Sequence, residues 1–168
     1  MLHPFISPAH LLALLTLGLL FGQRGVVASR HAMGSLVGAM ALGLWLSLRL
    51  AHWPEPDVAL LALGTVFGLG VALALRWPAW LLPALAALVG LAVGIGSAPD
   101  GMAPAQRGAA IIGTLIGASL CTACLAGAVH HLMHHRQRPW ALIGVRVVAS
   151  WLSASAILVL ALALARPG

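Results

Sequence analysis

Charge is what this sequence has least of. Only 7% of its 168 residues are charged, and just three are acidic: Glu55, Asp57 and Asp100. Lys, Tyr and Asn are absent. A soluble domain carries roughly a quarter of its residues as charges, so this deficit excludes an ordinary soluble globule. With 61% apolar residues it equally excludes a disordered chain. The two cysteines, Cys121 and Cys124, share one apolar run and are too few for a disulfide framework. Their Cys-x-x-Cys spacing falls near mid-membrane, where a thiol behaves as a small inert hydrophobe. No Ser-His or paired-carboxylate arrangement falls at a useful depth, so an enzyme is not expected.

What is present is apolar helix-forming sequence, with a mean hydropathy of +1.03. The expected fold class is all-α: a polytopic membrane helix bundle with about six transmembrane helices of about 20 residues each. The spans are expected near 9–22, 33–53, 58–76, 79–98, 108–133 and 140–165, which makes 1–168 a single integral membrane domain. Turn chemistry separates them at Pro54 and Pro56, Pro78, Pro99-Asp100-Gly101 with Pro104, and Pro139. No internal repeat supports an inverted-repeat transporter. The start, Met-Leu-His-Pro, lacks the basic residue of a signal peptide, so the first apolar run is expected to be retained.

All nine basic residues are Arg, and the net charge is +6. On a soluble protein that balance points to nucleic acid. Here the arginines fall at span ends, so the expected partner is the bilayer and not nucleic acid. Arg24, Arg30, Arg76, Arg136, Arg138 and Arg146 lie on the side opposite the termini; Arg49, Arg107 and Arg166 lie on the terminal side. The positive-inside rule then places the termini outside the cytoplasm of a bacterial inner membrane. Arg49 and Arg146, closer to span interiors, are expected to snorkel to headgroups.

Small residues should bring helices close. Gly34 and Gly38, Gly64 and Gly68, Gly90 and Gly94, and Gly113 and Gly117 each form a Gly-x-x-x-Gly pair, and Ser150 with Ser153 offers a similar face. Trp53, Trp77, Trp80 and Trp140 fall at span ends, at headgroup level.

Eight histidines are the chemical content of the chain. Imidazole is the commonest metal ligand, and an ionisable group inside a membrane is costly without a partner. His31 and His52 fall at span ends and are expected to be interfacial. His3 and His10 are seven apart, close to two helical turns, so on a continuous helix both rings share one face. They are either a ligand pair or two histidines wetted by headgroups. His130, His131, His134 and His135 form two i, i+4 pairs at the end of the fifth span, a spacing that chelates one ion per pair. The alternative is a polar helix end, where histidines suit the dipole and Arg136 and Arg138 suit an anionic leaflet. Asp100, Glu55 and Asp57 share the side of His3 and His10 and complete a cation-attracting mouth, unless they are simply solvated loop acids.

The N-terminal residues carry a resemblance. His3-Pro4 and His10-Leu11-Leu12-Ala13, followed in register by Gly18, Gln23 and Gly25, resemble the HupE/UreJ membrane proteins, hydrogenase and urease accessory proteins with a His-Pro-x-x-Gly-x-Asp-His-Leu-Leu-Ala pattern. The family Gly is Ser7 here and the family Asp is Ala9. The family's later His-Gly-His-Ala-His-Gly stretch is absent. The resemblance implies a permease for nickel or cobalt, the metal being cargo with no tightly bound cofactor, and metalloenzyme maturation proteins as partners. The altered motif equally suits a membrane scaffold of the same family that transports nothing. The metal-handling residues expected are His3, His10, Asp100, His130, His131, His134 and His135. A haem carrier is disfavoured, because the histidines do not pair across helices at equal depth.

Overall fold

The computed structural model describes residues 8–49, 56–75, 77–78, 80–97, 104–135 and 139–165. Among them are six helices and no strand: α1 (Pro8–Arg24), α2 (Val26–Arg49), α3 (Asp57–Ala72), α4 (Leu81–Gly96), α5 (Pro104–His135) and α6 (Pro139–Ala165). Three helices begin on proline, whose missing N–H is one the first turn leaves unused anyway. Asp57 opens α3, where a carboxylate meets the positive end of the helix dipole. Arg24 and Arg49 close α1 and α2 at the opposite, negative ends.

Only Gly25 separates α1 from α2. Its φ of +87° reverses the chain in one residue. The Ser29 hydroxyl lies within hydrogen-bonding reach of both Phe21 O (2.8 Å) and Gly25 O (2.7 Å), binding the turn. So α2 begins at Val26, where the sequence reading put a loop and a span from Met33. The polar Ser29, Arg30 and His31 ride on its first turns.

Helix α1 is the hub. Residues on all its faces are buried, from Ala9 to Gly22, and it packs chiefly on α3 and α5. Gly18 and Gly22 make the α5 contact possible. A Cβ at Gly22 would lie 2.5 Å from Val129 Cβ, and one at Gly18 would lie 3.2 Å from Thr122 O. The most extensive helix pair is α2 with α4. There backbones touch through glycine: Gly90 lies against Leu36 O, Gly94 against Met40 O, and a Cβ at Gly43 would sit 2.5 Å from Leu91 O. Helix α6 packs on α3, where Gly68 meets Ser153 and the Ser153 hydroxyl donates to Thr65 O at 3.1 Å.

Two of the expected glycine pairs therefore lie in interfaces, Gly64/Gly68 and Gly90/Gly94. Gly34, Gly38 and Gly113 face open space. Ser153 joins α6 to α3, while the exposed Ser150 bonds its own helix at Val147 O. The outward surface of α5 and α6 is an apolar belt: Ile112, Ile116, Leu120, Ile143, Leu158 and Leu164 are all exposed, as is Trp151 at 72%. Such a surface belongs against lipid and not water.

The expected six crossing helices need correction on length. Among the described residues Ser29–Arg49, Gln106–Met133 and Trp140–Ala165 are long and apolar enough to cross a bilayer. Helices α3 and α4 are apolar but have 16 residues each, about 24 Å at the α-helical rise.

Candidate functional site

His10 lies in the first turn of α1, where α1 meets the start of α3 and the end of α4. It is 3% exposed. A Cβ on Gly96 would lie 2.7 Å from His10 Nε2 and 2.8 Å from Pro56 Cγ. The imidazole thus fills a slot that a glycine at the last residue of α4 leaves open. Asp57 opens α3 immediately after Pro56. Ser97 follows Gly96, with its Oγ buried and lacking a hydrogen-bond partner. One end of the bundle therefore gathers an imidazole, a hydroxyl and an α-helix C-terminus, whose dipole favours cations. His3, Glu55 and Asp100 lie outside the described residues.

The motif residues divide by role. Ala9, where the resemblance has Asp, is 1% exposed in the core beside His10. Gly18 permits the α1–α5 approach, and Gly25 makes the α1–α2 reversal. Gln23 Nε2 donates to Val71 O at 3.5 Å, a long contact at the end of α3. His10 is the one described motif residue with ligand chemistry at the mouth.

The far end carries the histidine run on the last turns of α5. His130 is half-buried and His131 exposed, so the two side chains diverge. His134 and His135 continue the helix, but their side chains lie outside the described residues, so the i, i+4 pairs are not observed. Among the described residues no three His, Cys, Asp or Glu side chains converge to hold a metal ion. His130 borders a cavity of about 250 Å³ between α1, α2 and α5. Helix α2 is held mainly by α4 and touches α1 and α5 only lightly. Gly25, Ala126 and Gly127 are too small to close the gap.

Beside this end the C-terminus of α3 is tightly held. Leu75 N–H donates to Gly70 O at 2.9 Å and Ala74 N–H to Val71 O at 3.1 Å, a Schellman cap with Ala74 in the left-handed region at φ 51°. Arg146 Nε donates to Ala72 O at 2.6 Å. Arg24 donates to Leu75 O at 2.6 Å and Trp77 O at 3.0 Å. Arg146 therefore caps a helix through its Nε, while its side chain stays exposed. Arg49 sits 5.4 Å from the Trp45 ring centroid, a cation–π distance. Trp77, expected at headgroup level, packs its ring on Gly70, whereas Trp80 and Trp140 are exposed. Cys121 is half-buried and Cys124 exposed, both free thiols. His31 is exposed on α2, and Trp53 and His52 lie outside the described residues.

Sequence reasoning missed Gly96 and Ser97. Their signal was the turn Gly-Ser-Ala-Pro-Asp ahead of Gly101, which places them at the same membrane face as His10. It also passed over Gly18 and Gly22 as a fifth Gly-x-x-x-Gly pair.

A family model described as "HupE / UreJ protein" matches residues 1–164. No curated protein and no solved structure matches the chain.

Proposed function

Because the chain belongs to the HupE / UreJ family, we propose that it is a small integral membrane protein that carries a divalent transition metal, nickel or cobalt, for metalloenzyme maturation. All six helices cross the membrane in this reading, the three longer ones flanking the shorter. The termini face away from the cytoplasm of a bacterial inner membrane, and residues 1–168 act as one membrane domain. Metalloenzyme maturation proteins receive the ion, and the chain itself catalyses no reaction.

The observation that carries this reading is the placement of His10. It is buried in a slot left by Gly96 and flanked by Pro56, at the end of the bundle where Asp57 opens α3. His3 and Asp100 complete the capturing set with His10, supplying nitrogen and oxygen donors suited to nickel or cobalt. The histidines at the end of α5, His130, His131, His134 and His135, take the ion up at the other end.

A second reading is a scaffold of the same family that moves no metal. Ala9 in place of a carboxylate favours it. Ni(II) and Co(II) uptake by proteoliposomes of the full chain separates the two. Permease activity predicts uptake that His10→Ala lowers by about tenfold or more. Wild-type liposomes no better than empty ones would leave the scaffold.

A further inference from the structure

His130 borders a cavity whose other walls carry no metal-ligand chemistry. Its walls are almost wholly apolar: Phe21 from α1, Met33 from α2, Ala126 and Gly127 from α5. Two basic side chains border it, Arg30 and His130. Arg30 is exposed at the rim, on the second turn of α2. Of the chain's three acids only Asp57 is among the described residues, and it opens α3 at the opposite end of the bundle. An arginine is always charged, so this opening offers an anion a positive partner.

We propose that this cavity is a binding site for one anionic phospholipid, its phosphate on Arg30 and one acyl chain lying between α2 and α5. The apolar walls suit a hydrocarbon chain and are useless to a free inorganic anion. A volume of about 250 Å³ holds roughly eight groups the size of a water molecule or a methylene. That is a segment of an acyl chain and not a whole lipid, as expected of a cavity that opens at the bundle surface. Basic recesses between membrane helices take anionic headgroups by this combination of charge and apolar area. Gly127 lines the recess on α5, and a Cβ there would meet nothing within 4 Å, so the position has room for a larger side chain. Arg24 and Arg146, by contrast, are occupied with carbonyls at and beyond the end of α3. The lipid would also brace α2 against α1 and α5, the contacts that protein side chains leave light.

The test is native mass spectrometry of the intact chain released from detergent with added phosphatidylglycerol, phosphatidylcholine or inorganic phosphate. One phosphatidylglycerol should be retained in preference to phosphatidylcholine. Arg30→Gln should weaken retention about tenfold, the scale of one charged hydrogen bond. Gly127→Leu should also abolish it by filling the recess, and an unchanged melting temperature without lipid shows that this variant folds. Three results overturn the assignment: equal retention of phosphatidylcholine, retention indifferent to both substitutions, or displacement of the lipid by millimolar phosphate. None of these bears on metal uptake, so lipid site and permease can fail separately.

Discussion

Two single residues hold unusual positions, and each makes a prediction. Gly96 touches the imidazole of His10 so closely that a methyl group would sit 2.7 Å from Nε2. Gly96→Ala must therefore displace the ring or the end of α4. The helix itself should gain, since Ala is favoured over Gly in a helix by about 1 kcal/mol. The expected outcome is a normally folded protein whose metal uptake falls several-fold, in the same direction as for His10→Ala but by less. Uptake unaffected by Gly96→Ala would mean the placement of His10 does not matter to transport. Ala74 is the converse case: an L-residue at φ 51° in the Schellman cap of α3, where glycine carries no Cβ penalty. Ala74→Gly should stabilise by about 1 kcal/mol, or roughly 2–4 °C in melting temperature for a chain of this size. A lower melting temperature would contradict that conformation.

At the scale of elements, one sequence pattern has two opposite meanings. Gly90/Gly94 and Gly34/Gly38 are identical in spacing, yet the first pair lies against the backbone of α2 and the second faces open space. Gly94→Val pushes a branched side chain toward Met40 O and should cost about 3 kcal/mol, the upper range of overpacking in a close-packed core. Gly34→Ala and Gly38→Ala should leave stability unchanged or raise it, because only helix propensity is altered. Thermal unfolding in detergent measures both, and equal destabilisation by the two pairs would overturn the assigned packing. The contrast also marks what the sequence can convey. Helix number and order were legible, because proline and glycine punctuate apolar runs. Which glycine pair is an interface was not, because lipid tails are as apolar as leucine and the pattern is the same either way. For the same reason no composition signal distinguished α1, buried on every face, from α6, which exposes Trp151 and Leu158. The Arg146 contact was not legible because its acceptor, Ala72 O, is a backbone atom of a distant helix and leaves no mark in sequence. At the candidate site the histidines were visible by residue type. The slot that holds His10 was not, since it is made by Gly96 and Pro56, which carry no ligand chemistry.

At the scale of the whole molecule, the chemistry is polar at both ends and apolar between. His10 lies at the end where α1 and α3 begin, and the α5 histidines lie at the other. Carriage between them requires neutral imidazole for capture, because a protonated ring offers no lone pair to a metal. Acid favours the protonated ring, so lowering the pH lowers the share of rings able to capture an ion. The sign depends on the side. Acid on the His10 side should depress the initial rate of nickel or cobalt uptake several-fold, since fewer rings can capture an ion. Acid on the far side alone should not depress it, since capture takes place at the His10 end. Proteoliposomes carrying the chain in one orientation, with internal and external pH set independently, make the measurement. Equal depression from either side would mean that acid disturbs the bundle as a whole. A rate insensitive to both would remove imidazole from the transport step and return the His10 slot to a packing role.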